Sequence, residues 1–101
     1  MSLPVPEADE PARVLVVDDS PSARQLIVDL INADAGLAVV GEAKNGLEAV
    51  RLNRALAPHI IAMDLTLPLM DGLQATALIM QESPNRVVLL QTAARCWPTP
   101  T

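Results

Sequence analysis

The chain is poor in aromatic residues: Trp97 is the one aromatic side chain among 101 residues, and there is no Phe and no Tyr. This scarcity removes the stacking platforms on which single-stranded nucleic acid is usually bound. Cationic residues are also in the minority, because 7 Lys and Arg stand against 12 Asp and Glu, for a formal net charge of −5. No basic patch is visible that could neutralise a phosphate backbone. We therefore expect no nucleic-acid partner.

Cysteine and long apolar runs are scarce as well. Cys96 is the single cysteine, so no internal disulfide can form, which fits a reducing, cytoplasmic location. No apolar run approaches the roughly 20 residues that a membrane-spanning helix needs. The N-terminus also lacks the basic segment and apolar run of a signal peptide. Half of the residues are nevertheless hydrophobic, enough for one small globular domain away from the membrane.

Four short apolar runs recur along the chain and predict strands at residues 13–17, 37–40, 60–63 and 87–90. Runs without polar interruption are typical of strands buried on both faces, as in parallel sheets. A helical pattern separates each strand from the next, so the chain predicts βαβ units in an α/β fold.

Capping residues and apolar spacing predict three helices. The first begins at Pro21 after the N-cap Ser20 and fades over residues 32–36. The second follows Asn45 and ends at Pro58, with residues 41–45 as the preceding loop, and the third ends at Ser83. The apolar residues assigned to the helix faces are Leu26, Leu30, Ile27 and Ile31 in the first helix, Leu47, Val50 and Leu56 in the second, and Leu73, Ala77 and Met80 in the third.

Three carboxylates follow predicted strands directly. Asp18 and Asp19 come after the first strand, and Asp64 comes after the third. In open α/β sheets the carboxyl ends of the strands form the edge where ligands bind. Two full charges about 5 Å apart repel by about 3 kcal/mol at an effective dielectric constant near 20, so a divalent cation would relieve the cluster. Oxygen ligands favour Mg²⁺, Mn²⁺ or Ca²⁺ over zinc. The alternative for the first pair is a plain helix cap before Pro21.

Three motifs together carry a family resemblance. They are the stretch from Val14 to Ser20, the Gly-Glu-Ala and Asn-Gly-Leu-Glu-Ala pair at residues 41–49, and Asp64 followed by Pro68 and Met70-Asp71-Gly72. With them, residues 13–92 resemble the receiver domain of two-component response regulators, and within that family the receiver of the chemotaxis methylesterase. The resemblance implies a flavodoxin-like, doubly wound parallel sheet with strand order 2-1-3-4.

The resemblance also implies roles for matching residues. Asp64 matches the phosphoryl acceptor, to which a sensor histidine kinase transfers its phosphoryl group. Asp19 matches a direct Mg²⁺ ligand, Asp18 a ligand acting through water, and the backbone carbonyl of Thr66 a third protein ligand.

The C-terminal part departs from the family pattern. The family carries Ser or Thr just after the fourth strand. Counting without gaps from Asp64 places Gln91 at that position, and Thr92 is the next residue. No Lys follows a fifth strand, and the usual fourth helix, fifth strand and fifth helix are not evident. We expect a disordered leader at 1–12, a C-terminally truncated, partial receiver at 13–92 and an irregular tail at 93–101. An unpaired fourth strand would favour a homodimer through its edge.

The resulting hypothesis is a phosphoryl-accepting switch rather than an enzyme, with its output impaired by the truncation. One alternative is a non-phosphorylated interaction or dimerisation module, and another is a regulatory fragment of a methylesterase. A methylesterase itself is disfavoured because no Gly-x-Ser-x-Gly motif occurs. A phosphatase of the haloacid dehalogenase type is disfavoured too, because Thr66 stands where that family carries its acid.

Overall fold

A parallel sheet forms the centre of the protein. The computed structural model describes residues 10–64, 72–82 and 86–90. The elements are β1 (Ala12–Val17), α1 (Pro21–Asn32), β2 (Leu37–Ala43), α2 (Gly46–Leu56), β3 (Ile60–Asp64), α3 (Gly72–Glu82) and β4 (Arg86–Leu90). All three strand pairs are parallel, and the order β2-β1-β3-β4 confirms the predicted flavodoxin-like topology.

Both faces of the central strand are buried, because helices cover each side of the sheet. Leu15 and Val17 of β1 belong to a core cluster formed with α2 and α3. The alternating residues Val14 and Val16 belong to a second cluster, formed with α1 around Val28. Successive strand residues point to opposite faces. The uninterrupted apolar run of β1 therefore fills two cores at once.

Capping side chains fix the helix ends as predicted. The Ser20 hydroxyl accepts a hydrogen bond from the Ala23 backbone N–H at 3.3 Å, and Pro21 opens α1. The Asn45 side chain accepts from the Glu48 N–H at 2.8 Å at the start of α2. That helix ends at Ala57, whose φ of 46° is left-handed, immediately before Pro58.

The second strand is longer than the sequence predicted. The prediction ended this strand at Val40 and placed a loop next, whereas β2 continues to Ala43. The glycine and glutamate that follow Val40 are weak strand formers, but pairing with β1 continues through them and overrides that preference. The register shifts by one residue between Val14 and Leu15, as in a β-bulge.

The buried helix faces match the prediction only in part: Val50 is buried, and Ile27 and Ile31 pack against the second core cluster, as expected. Residues that were assigned to apolar faces but are exposed are Leu26 and Leu30 of α1, Leu47 of α2, and Ala77 and Met80 of α3. Residues buried instead are Val28, Ala49, Ala75 and Ile79. Small and large side chains occur on both faces, because Ala49 and Ala75 are as deeply buried as Ile79 while leucines such as Leu30 are exposed. Side-chain size was therefore a poor guide to the inward direction.

The structure describes only part of the sequence near the two chain ends. β1 begins at Ala12, one residue before the predicted start, and the Ala12 N–H donates to the Gly36 carbonyl at 2.8 Å. Residues 1–9 and 91–101 lie outside the described residues, so the predicted leader and tail stay predictions. Within the described ranges, no helix has the length and apolar character needed to cross a membrane.

Candidate functional site

Three carboxylates meet at the carboxyl edge of the sheet, as the sequence predicted. Asp18 and Asp19 follow β1, and Asp64 is the last residue of β3. Parallel pairing places Val17 beside Met63, so both strands reach the edge at the same level. One carboxylate oxygen from each aspartate lies within 4.8 Å of the others. Asp18 and Asp64 are buried, and Asp19 is half-buried.

The turn between β1 and α1 holds Asp18 through several hydrogen bonds. Its backbone N–H donates to the Ala43 carbonyl of β2 at 3.0 Å. Its side-chain Oδ1 accepts from the Ser20 N–H at 2.9 Å. Because Ser20 also caps α1, the carboxylates lie at the positive end of the helix dipole. Strand pairing and helix capping together fix where the Asp18 side chain points.

Arg24 and Glu42 were missed as part of this site. The Arg24 Nη1 donates to the Asp18 carbonyl at 2.8 Å, and its Nε donates to Glu42 Oε1 at 3.1 Å. A sequence signal existed, since helical side chains lean toward the N-terminus and Arg24 lies one turn inside α1. Glu42 was noted only as part of a motif, because the loop assigned to its position gave no reason to direct it toward α1.

The ligand set is suited to a hard divalent cation. Three carboxylates within 4.8 Å supply oxygen donors, with no His or Cys in the cluster. Oxygen-only sets suit Mg²⁺, Mn²⁺ and Ca²⁺, whereas zinc prefers nitrogen and sulfur. The same closeness makes the cluster self-repelling without a cation. The residues therefore fit the metal that the sequence predicted.

His59 lies away from this edge, because it directly precedes β3. The Arg13 backbone N–H donates to His59 Nδ1 at 2.9 Å, and the His59 N–H donates to the Arg13 carbonyl at the same distance. The Arg13 guanidinium also binds the Leu56 and Ala57 carbonyls at the end of α2. His59 is buried among these contacts at the opposite end of the sheet, so its role is structural.

Several predicted site residues fall outside the described residues. They are Thr66 with its backbone carbonyl, the Pro68 and Met70-Asp71 loop, and the phosphoryl-contact candidates Gln91 and Thr92. Their assignments stay predictions.

The sequence resembles known proteins over most of its length. The model of the response regulator receiver domain matches residues 14–98. A protein-glutamate methylesterase/protein-glutamine glutaminase of Myxococcus xanthus is 50% identical over 84 residues, which are 83% of this chain and 24% of that protein. A second such protein, from Anaeromyxobacter dehalogenans, is 53% identical over 78 residues, which are 77% of this chain and 23% of the relative. This chain thus spans about a quarter of the length of these curated relatives, and the part that matches is the receiver.

Solved structures give the same result. The response regulator domain of Thermotoga maritima CheB superposes with a TM-score of 0.79 at 39% identity, covering 88% of this chain and 66% of that one. CheY of Borrelia burgdorferi, solved in a complex with CheX, BeF₃ and Mg²⁺, gives a TM-score of 0.75 at 28% identity, covering 80% and 62%. The expected likeness to methylesterase receivers is confirmed. This chain belongs to the response regulator receiver domain family of two-component signalling.

Proposed function

We propose that this receiver accepts a phosphoryl group on Asp64 from a sensor histidine kinase, with Mg²⁺ bound by the acidic cluster. The observation that carries the proposal is the meeting of Asp18, Asp19 and Asp64 within 4.8 Å at the carboxyl edge of a receiver-family sheet. Membership of the receiver family supports phosphoryl acceptance at Asp64.

Asp64 is well placed to act as a nucleophile because β3 holds it on a rigid element. In the proposed step, a carboxylate oxygen of Asp64 attacks the phosphorus of a phosphohistidine. The phosphorus–nitrogen bond breaks, and its electron pair returns to the imidazole of the kinase. When bound, a divalent cation supplies positive charge that offsets the charge on the transferred oxygens.

The remaining residues divide into binding and contact roles. Asp19 is the proposed direct ligand, and Asp18 is proposed to act through water while the turn fixes its orientation. The Thr66 carbonyl is the proposed third ligand. Thr92, with Gln91 as the alternative, is the proposed contact to a transferred phosphoryl oxygen.

We also propose which activity this receiver regulates and which proteins it binds. The methylesterase relatives favour a receiver that regulates methyl-ester hydrolysis, although this chain aligns with only about a quarter of their length. The CheX complex of the Borrelia relative favours binding to other chemotaxis proteins as well as to a kinase. A homodimer through the β4 edge stays a prediction, which sedimentation at dilute concentration checks.

Intact-mass measurement after incubation with acetyl phosphate and Mg²⁺ tests the proposal. We expect the wild-type chain to gain the mass of one phosphoryl group, and a chelator to prevent the gain. Asp64→Asn should abolish it because the amide is a poor nucleophile. Asp34→Asn is the matched control, since it alters an exposed aspartate in the turn after α1 and should leave the gain intact.

The same measurement separates the proposal from its alternative. A mass gain that persists in Asp64→Asn would place the acceptor elsewhere. No gain in a wild-type chain that still binds Mn²⁺ would instead support the non-phosphorylated interaction module.

A further inference from the structure

Arg24 joins the acidic turn to the neighbouring strand. Its guanidinium donates to the Asp18 carbonyl at 2.8 Å through Nη1 and to Glu42 Oε1 at 3.1 Å through Nε. We propose that Arg24, held by Glu42, is a positioning residue that raises the divalent-cation affinity of the acidic cluster by orienting the Asp18–Asp19 peptide. This inference rests on the metal site of the proposed function.

The peptide geometry explains how a hydrogen bond to the Asp18 carbonyl would also act on the Asp19 side chain. The Asp18 carbonyl and the Cα atom of Asp19 lie in one planar peptide unit. A hydrogen bond that fixes the carbonyl oxygen therefore fixes the plane from which the Asp19 side chain starts. The Asp18 N–H is already bound to Ala43. Arg24 thus supplies the second anchor, on the side of the turn that faces α1.

Glu42 fixes Arg24 in turn. The Arg24 side chain is 20% exposed and that of Glu42 is 45% exposed, so the pair is partly shielded from water. The planar guanidinium presents donors in fixed directions, which lets it bind a carbonyl and a carboxylate at once. Glu42 also offsets the positive charge of Arg24, which would otherwise disfavour a cation at the adjacent cluster.

Positioning and charge predict effects of opposite sign, and this makes the inference testable. If Arg24 acted by its charge alone, its removal would strengthen cation binding because a repelling charge is lost. If Arg24 orients the peptide, its removal weakens binding because the carboxylates lose their fixed geometry. Outer residues that orient metal ligands are typically worth about 10–100-fold in affinity.

Mn²⁺ titration of the full chain, with free Mn²⁺ followed by electron paramagnetic resonance, measures this affinity directly. We expect Arg24→Met to raise the Mn²⁺ Kd about tenfold. Arg24→Lys keeps the charge and the aliphatic stem but loses the two-pronged geometry, so its Kd should lie between those of Arg24→Met and the wild type. Under a charge effect alone, Arg24→Lys would match the wild type and Arg24→Met would bind more tightly.

Arg54→Met is the matched control. Arg54 also extends from a helix to pair with a glutamate on another element, Glu82 of α3, but it lies outside the acidic cluster. Its loss should leave the Mn²⁺ Kd unchanged. Circular dichroism confirms that each variant is folded, and Arg24→Lys retains the test if Arg24→Met does not fold.

The outcomes separate this inference from the proposed function. An unchanged or lower Kd in Arg24→Met, or a wild-type Kd in Arg24→Lys, would overturn the positioning role while leaving the metal site in place. A wild-type chain that does not bind Mn²⁺ would overturn the metal site and the positioning role together. Weaker binding in both Arg24 variants, with Arg54→Met unaffected, would establish Arg24 as the positioning residue.

Discussion

Gly41 shows how one residue can set the packing of an element. It lies in β2 directly after the register shift with β1. A Cβ atom added at Gly41 would lie 2.6 Å from Leu56 Cδ1 of α2 and 3.4 Å from Leu15 Cδ1 of β1. The first distance is shorter than any ordinary carbon–carbon contact. Glycine at this position thus leaves room for the Leu56 side chain of α2 to pack over β2.

Gly41→Ala should therefore destabilise the protein by overpacking. We expect the free energy of unfolding to fall by about 1 kcal/mol, the low end of overpacking costs, because the obstructing atom is the tip of the half-buried Leu56 side chain, which can turn aside to admit the methyl group. In a Leu56→Ala background the same substitution should cost almost nothing, since the obstructing atom is gone. Denaturant unfolding followed by circular dichroism measures all four proteins of this cycle.

Gly36→Ala is the control for the change of residue type. A Cβ on Gly36 would lie 3.3 Å from the Asp34 side chain at an exposed turn, so its cost should be smaller. An equal cost of Gly41→Ala in both Leu56 backgrounds would contradict the packing explanation.

At the scale of elements, α2 and α3 are joined across the surface by a pair of charges. Arg54 of α2 donates to both carboxylate oxygens of Glu82, near the end of α3, with its Nε at 2.7 Å from Oε2. The hydrogen bond to Arg54 lowers the pKa of Glu82, and the adjacent charge of Arg54 adds to this effect. The pair links two helices that already share a core cluster.

The lowered pKa of Glu82 determines how the stabilisation by the Arg54–Glu82 pair changes with pH. The stabilisation is present above the ordinary carboxyl pKa of 4.5 and is lost as the pH falls below that value through the folded pKa. We expect Glu82→Gln to lower the thermal midpoint slightly at neutral pH, and the difference from wild type to vanish in acid. High salt should shrink it at neutral pH, because exposed charges are screened. A difference that grows in acid would contradict the assignment.

The elements were easier to predict than their faces. Apolar runs and caps such as Ser20 and Asn45 act locally, so the strands and helix starts were foreseen, whereas the strand order was an expectation from the family resemblance. The inward face of α3 was not, because packing rather than size decides that Ala75 is buried and Met80 is exposed. Asp18 and Asp64 could be predicted as site residues because each lies at the end of a predicted strand. The contact of Arg24 with Glu42 depends on the continuation of β2 into the predicted loop, which local sequence preferences do not encode.

At the scale of the whole molecule, the acidic cluster connects stability to metal binding. The Asp18–Asp19 turn follows β1 and Asp64 ends β3, and only folding brings these two strand ends together. The unfolded chain does not hold these carboxylates within reach of one ion. A cation bound at the cluster would thus favour the native state, and the repulsion without it would oppose folding.

Mg²⁺ should therefore raise the thermal midpoint of unfolding in a saturable way. At 100 times the Kd, a ligand that binds only the native state adds about 2.7 kcal/mol. Asp19→Asn should behave oppositely in two buffers. In chelator it should be more stable than wild type by about 1 kcal/mol, because one repelling charge of a half-buried cluster is removed. In Mg²⁺ it should be less stable than wild type, because it lacks a ligand and gains little from the ion.

Two controls isolate the cluster in this experiment. NaCl at matched ionic strength should give a smaller, unsaturable shift through screening alone. Asp29→Asn removes an equal charge from the exposed side of α1 and should keep the full Mg²⁺ response. A wild-type midpoint that does not respond to Mg²⁺, or an Asp19→Asn response equal to wild type, would contradict metal binding at this edge of the sheet. The opposite shifts in the two buffers arise from one cause, the charge that Asp19 adds to the native cluster.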